Sequence, residues 1–439
     1  MKRTTLALAA LLTATSGSAS QQTNPGAALV HYDALLALDI EQGGISGTVV
    51  VTAVGRGDGA SSVTLDCGEL TIDSASLGGR PLRVATADHR VTLALPERLR
   101  AGATARVAIR YHGQPRRGLR FFKEVQQAYT VFSTSQWLPV DDAPDQKASL
   151  TLKLSVPTGS NAVASGELVA RRSLRGATLF EWRQRTPLPT YVFGFAVGRF
   201  QSVAETDRGV RLDYLSDACS EAELRRIFAE TKGMLEFFED RAGVRYPGTR
   251  YSQVLAAGRV EQEVGSFTLL SESYGPRVLA DPQDVWLMAH ELAHQWWGNG
   301  VTCRDWNHFW LNEGIATFLA SAYKEHRFGR DVYVREVDEW RTRYQRVREQ
   351  GQDKPLVFPD WTNPTANDRT LVYQKGAYVM HLLREHMGEA RFWRGLRHYT
   401  RAFMGRSVTT PDFQRAMEQG SGADLRDFFE RWVYGIRSE

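Results

Sequence analysis

Met288-Ala289-His290-Glu291-Leu292-Ala293-His294-Gln295-Trp296-Trp297 is the stretch around which this chain is organised. Its pattern is helical, from Asp281-Pro282 with proline in the first turn to the stop at Gly298-Asn299-Gly300. Residues four apart lie on one helix face. His290 and His294 can therefore offer two imidazole nitrogens to one zinc ion, at about 2.0–2.1 Å each. Glu291 then points near the metal without being forced to ligate it, which suits a general base.

Two histidines leave zinc short of a protein ligand. Trp310-Leu311-Asn312-Glu313-Gly314 opens a second helical stretch running to about Arg327. Glu313 stands nineteen positions after His294. A carboxylate on a neighbouring antiparallel helix completes a His₂Glu catalytic set and leaves the fourth position to water. The candidate metal ligands are thus His290, His294 and Glu313, for one Zn²⁺ per chain.

Upstream the character changes. Across residues 23–207, GTVVVTAV (47–54), SSVTLDC (61–67), HRVTLAL (89–95), ARVAIRYHG (105–113) and SLTLKLSVP (149–157) alternate or run β-branched, with Gly, Pro and Asp between them. Ser220 with Glu223 forms a capping box, and apolar residues then recur at helical spacing until Gly243. After one more strand-like stretch (251–256) the chain reads mostly helical. The expected fold class is α+β: an N-terminal all-β domain of packed sheets over 21–207, then a mainly helical catalytic domain over 208–439.

Composition bounds the partners. The chain has 439 residues, 42% hydrophobic and 24% charged, which excludes a disordered or collagenous chain. Net charge is +4, and +2 once Lys2 and Arg3 are removed, so nothing electrostatic points to nucleic acid or an anionic membrane. Met1-Lys2-Arg3, the apolar run at 6–14 and Ser18-Ala19-Ser20 form a signal-peptide pattern over 1–20, which predicts a secreted or periplasmic protein. No other segment approaches the roughly 18 apolar residues of a membrane span, so stable insertion is not expected. Cys67, Cys219 and Cys303 contain no C-x-x-C and allow at most one disulfide.

HELAHQWWGN (290–299) followed by WLNEG (310–314) resembles the zinc aminopeptidases related to aminopeptidase N and leukotriene hydrolase. The resemblance extends along the chain in family order. WLPVDDAPDQKA (137–148) is similar to their F-P-x-x-D-x-P-x-x-K-A run, and TYVFGFAVGRF (190–200) to the end of their first domain. GRVEQ (258–262) is similar to their G-x-M-E-N loop, TLVYQKGAYVMHLLR (370–384) to their Y-x-K-G helix, and FFERWVYG (428–435) to the close of their catalytic domain.

The resemblance implies a thermolysin-like catalytic domain and hydrolysis of the N-terminal peptide bond of peptides by a zinc-activated water. It implies that Glu291 is the base, that Tyr373 donates to the oxyanion, and that Glu261 binds the substrate's free α-amine. Gly258 would let the backbone approach the substrate. Glu263 is a second candidate for the amine, and Gln136 a candidate polar contact from the first domain. Val260 and Gln262 depart from the loop pattern. Typical relatives continue into a helical repeat domain, whereas this chain stops at Glu439, so a less enclosed cleft, or one closed by another subunit, is expected. The competing readings are a zinc endopeptidase on the same metal site and a non-catalytic binding protein of the same fold.

Overall fold

The computed structural model describes residues 23–358, 361 and 363–435. The expected leader lies outside them. The first domain is built of three sheets. An eight-stranded sheet runs in the order Glu167–Leu174, Ala177–Pro189, Lys147–Pro157, Ala27–Asp39, Gly44–Gly55, Thr104–Gly113, Thr71–Leu77, Arg80–Pro81. A three-stranded sheet (Ala60–Asp66, Arg90–Leu99, Val84–Ala87) and a four-stranded one (Asn161–Ala164, Phe195–Gly198, Gln127–Thr130, Leu119–Phe122) complete it. Alternation along the strands puts Val49, Val51 and Ala53, and on the neighbouring strand Tyr32, Ala34 and Leu36, into one core.

A five-stranded sheet opens the second domain, in the order Gln201–Asp207, Val210–Ser216, Arg250–Ala256, Phe267–Ser271, Glu261–Val264. Gln201–Asp207 and Val210–Ser216 form a hairpin, so a division at 207/208 would fall in its turn. A division just before Gln201 keeps the sheet whole. The Ser220 capping box is present: Ser220 N donates to Glu223 Oε2 at 2.8 Å, and Glu223 N to Ser220 Oγ at 3.3 Å. The helical pattern that follows splits into Glu221–Ile227 and Thr231–Ala242, and Gly243 closes the second in the left-handed region at φ 63°. The remainder is mainly helical.

The two domains interlock through polar contacts, buried at Tyr129 and more open at Lys147. Tyr129 Oη donates to Ala257 O at 2.6 Å, and Lys147 Nζ donates to Gly300 O and Arg406 O at 3.0 and 3.1 Å. Cys67, Cys219 and Cys303 are free thiols, the first and last buried. Among the described residues no helix is long and apolar enough to cross a membrane.

Candidate active site

Three helices carry the site: α1 (Trp286–Ala293), α2 (Trp310–Phe328) and α3 (Gly376–Met387). α1 is shorter than its sequence pattern. Residues 281–284 form a turn closed by Asp284 N donating to Asp281 O at 2.9 Å, so Pro282 precedes the helix rather than opening it. Every residue from Leu287 to Ala293 is buried, because the helix lies between α2 and the edge strand Glu261–Val264. His294 caps its C-terminal end.

This geometry makes the two imidazoles face each other, with Nε2 to Nε2 at 3.1 Å. Glu313, in the first turn of α2, places Oε2 at 3.3 Å from His290 Nε2 and 3.4 Å from His294 Nε2, yet forms a hydrogen bond with neither. All three side chains are 1–2% exposed. His294 Nδ1 is 3.0 Å from Trp297 O; a carbonyl only accepts, so Nδ1 carries a proton, and Nε2 is the nitrogen left to ligate a metal when the ring is neutral. His290 Nδ1 reaches the Thr317 hydroxyl at 3.5 Å, and the Trp286 ring stacks on its imidazole. Three possible ligand atoms thus come together, all within 4.8 Å of one another. Nitrogen, nitrogen and carboxylate oxygen are the donor set of a catalytic zinc site, and the residues present fit that ion.

A second overlapping group, Glu263, Glu291 and His294, also lies within 4.8 Å. Glu263 Oε1 and Glu291 Oε2 are buried and without a hydrogen-bond partner. Burial, then the Glu263 charge, lifts Glu291 well above the usual carboxylate range. Burial lifts Glu263 to about 7, opposed by His294. Burial lowers His290 to about 4. At His294 burial is outweighed by Glu313 and Glu263, which raise it to about 10. At Glu313 burial is outweighed by His294 and His290, which hold it down to about 2. Three carboxylates, Glu263, Glu291 and Glu313, therefore share one buried pocket.

Glu261 and Glu263 alternate with Gln262 on the edge strand and share its site-facing side. Gln262 points the other way and accepts from Phe132 N at 3.1 Å. Of the two acids, Glu263 is the one clustered with Glu291 and His294. Glu261 is half-buried, and its carboxylate accepts from the Ser271 hydroxyl at 3.4 Å. The resemblance of GRVEQ to the family loop, counted from Gly258, points to Glu261. The Gly265-Ser266 hairpin turn sets the strand's register instead, pairing Val264 with Phe267 and Glu263 with Thr268. Gly258 has φ 75°, and a Cβ there would come within 2.8 Å of the Phe122 ring, so its absence of a side chain serves domain packing. Gln136 is buried against Gly68 and Gly118 within the first domain.

Tyr373 arrives by an irregular backbone. Leu371–Lys375 is a π-helical turn leading into α3, a feature common at functional sites. An added Cβ on Gly376 would lie 2.9 Å from Gly314 Cα, so these two glycines let α3 and α2 approach closely. The Tyr373 ring stacks on His290 with centroids 6.0 Å apart. Burial, then the Glu313, Glu263 and Glu291 charges, push its hydroxyl pKa far up, so it remains a proton donor.

Both domains have known counterparts. Residues 29–192 match the Peptidase M1 N-terminal domain, and residues 227–432 match the Peptidase family M1 domain. A probable M1 family aminopeptidase 2 of Encephalitozoon cuniculi is 28% identical, over 92% of this chain and 50% of its own length. Leukotriene A-4 hydrolase of Xenopus laevis is 25% identical, over 88% of this chain and 67% of its own length. The chain thus spans about half the length of the first of these relatives. Solved structures match more completely. An M1 zinc metallopeptidase mutant from Deinococcus radiodurans, bound to a Tyr-Ser-Ala substrate, superposes with TM-score 0.80 at 26% identity, covering 94% of this chain and 96% of that one. A two-domain M1 zinc metallopeptidase mutant bound to L-tryptophan gives 0.81, with the same identity and coverage. Matched through both domains, and carrying a His₂Glu group at the helix pair, this chain belongs to peptidase family M1.

Proposed function

We propose that this protein is a zinc aminopeptidase that hydrolyses the N-terminal peptide bond of peptides. The observation that carries the reading is the convergence of His290, His294 and Glu313 beside two unpartnered carboxylates, Glu291 and Glu263. Zinc, when bound, supplies Lewis acidity and lowers the pKa of a ligated water to about 7. Glu291 takes the proton of the attacking water and delivers it to the leaving amine. Tyr373 donates to the oxygen on which negative charge develops. The substrate's ammonium balances the excess of carboxylate, seated by Glu263 at the floor and Glu261 at the rim of the edge strand. A carboxylate at fixed distance from the scissile bond makes the enzyme count one residue from the amino end. The Tyr-Ser-Ala peptide and free amino acid held by the solved relatives support this class of substrate. The 1–20 leader pattern supports action outside the cytoplasm, in the periplasm or the medium.

The test is a panel of aminoacyl fluorogenic substrates with protein that has been metal-analysed, stripped with chelator and reloaded. One zinc per chain, loss of turnover on stripping and its return on reloading are expected. Undiminished turnover in the stripped protein would contradict the reading.

A further inference from the structure

The two segments that carry the metal group do not touch each other only within the catalytic domain. Tyr191, in the Thr190–Val192 turn of the first domain, inserts its side chain between them and is 3% exposed. Its hydroxyl lies 3.0 Å from Asn312 Nδ2, 3.2 Å from Thr302 Oγ1 and 3.5 Å from Gly298 O. The amide of Asn312 can only donate through Nδ2, so it fills a lone pair of the tyrosine oxygen. The tyrosine proton is left for Thr302 or Gly298.

Each partner leads to a ligand. Asn312 immediately precedes Glu313, is fully buried, and accepts from Cys303 N through Oδ1 at 3.0 Å. Gly298 lies against His294: an added Cβ would be 2.8 Å from His294 Nδ1, and the preceding carbonyl, Trp297 O, is the acceptor that fixes the His294 tautomer. Thr302 and Cys303 lie on the segment joining the two. One hydroxyl from the first domain therefore ties the end of α1 to the start of α2. The Trp306 ring packs edge-on to the Tyr191 ring with centroids 5.1 Å apart, which leaves the phenol little freedom to turn away.

We propose that Tyr191 is a positioning residue of the metal centre, by which the first domain sets the separation of His294 and Glu313. The proposal rests on the zinc reading above. It accounts for a buried polar junction at the domain boundary that neither domain needs for its own core. Partners that orient metal ligands from outside the coordination sphere typically change metal affinity about 10–100-fold when removed.

The experiment measures zinc affinity of the full chain by competition with a chromophoric chelator. Wild type, Tyr191→Phe, Asn312→Ala and the double variant are compared. Tyr111→Phe serves as control, since it removes another buried first-domain hydroxyl, bonded to Trp137 O at 3.1 Å. Tyr191→Phe should bind zinc about 10–100-fold more weakly. The double variant should lose no more than the worse single variant, because both break one linkage. Melting with and without chelator separates positioning from general loosening. Tyr191→Phe should shrink the stabilisation that zinc confers, whereas Tyr111→Phe should lower both melting points together and leave zinc affinity unchanged. Should Tyr191→Phe not fold, Asn312→Ala alone carries the comparison with Tyr111→Phe. Wild-type affinity in both site variants, or a loss no greater than that of Tyr111→Phe, overturns the proposal while leaving the zinc reading intact. A wild-type chain that binds no zinc overturns both.

Discussion

His290, His294 and Glu313 are convincing as a set because each is nearly inaccessible and their ligand atoms lie within 4.8 Å of one another. A buried carboxylate facing two imidazoles is costly unless something cationic completes it. Removing either His290 or Glu313 as alanine should therefore abolish metal binding, checked by metal analysis of folded protein. Glu291→Gln separates chemistry from binding. It keeps every ligand, so zinc content should be unchanged while kcat falls by about 10²–10⁴-fold, the usual contribution of a general base. The two acids of the edge strand should differ as well. Glu263→Ala should weaken kcat/KM for free-amine peptides by about 2–5 kcal/mol, as for a buried charge pair. Glu261→Ala should cost much less, because its carboxylate is half-exposed. A larger loss in Glu261→Ala would return the amine to the outer acid.

At the scale of elements, the approach of α2 and α3 determines where Tyr373 sits. Gly376→Ala would press a methyl group against Gly314 Cα, and overpacking of this kind costs about 1–3 kcal/mol. The expected result is a lower melting temperature together with a fall in kcat, since the π-helical turn that delivers Tyr373 is continuous with α3. Tyr373→Phe leaves the backbone alone and should lower kcat by about 10²–10³-fold with little change in KM. Much of this was legible in the sequence. The His290/His294 spacing, Glu313 at the start of α2 and the Ser220 cap all depend on local periodicity, which sequence exposes directly. The π-helical turn was not legible, because it depends on how closely two helices pack. The first long strand, AALVHYDALLALD, falls inside the strand-like stretch although its Ala- and Leu-rich composition also suits a helix; its parallel pairing with Lys147–Pro157 and antiparallel pairing with Gly44–Gly55 override that preference. Between Glu261 and Glu263 the two alanine variants decide: a motif counted from Gly258 points to Glu261, whereas the edge strand, in register from its hairpin turn, brings Glu263 beside Glu291 and His294. Tyr191 carries no signal of its own in the TYVFGFAVGRF run, since its partners lie more than a hundred residues away.

For the whole molecule, the first domain is more than a scaffold. Its 137–148 segment buries Asp141 near the domain junction, where Asn24 Nδ2 donates to Oδ2 at 3.0 Å, Thr190 donates to its carbonyl at 2.6 Å and Oδ1 has no partner. Burial raises the Asp141 carboxyl to about 7, well above its value in an unfolded chain. The folded protein therefore binds more protons than the unfolded one between about pH 4 and 7, and this group's contribution to stability falls as pH rises through that window. Asp141→Asn, which mimics the protonated acid, should be more stable than wild type at pH 8 by on the order of 2–4 kcal/mol, with the difference vanishing near pH 4. Parallel stability curves across that range would show that Asp141 is not held protonated. The central claim is that the metal centre acts on peptides with a free amino end. The measurement that tests it most directly is the ratio of hydrolysis rates for a tripeptide and its N-acetylated counterpart by the zinc-loaded protein. The free-amine peptide should be cleaved at its first bond and the acetylated one essentially not at all. Equal rates on the two, or cleavage at an internal bond, would contradict an aminopeptidase and make the protein an endopeptidase on the same metal site.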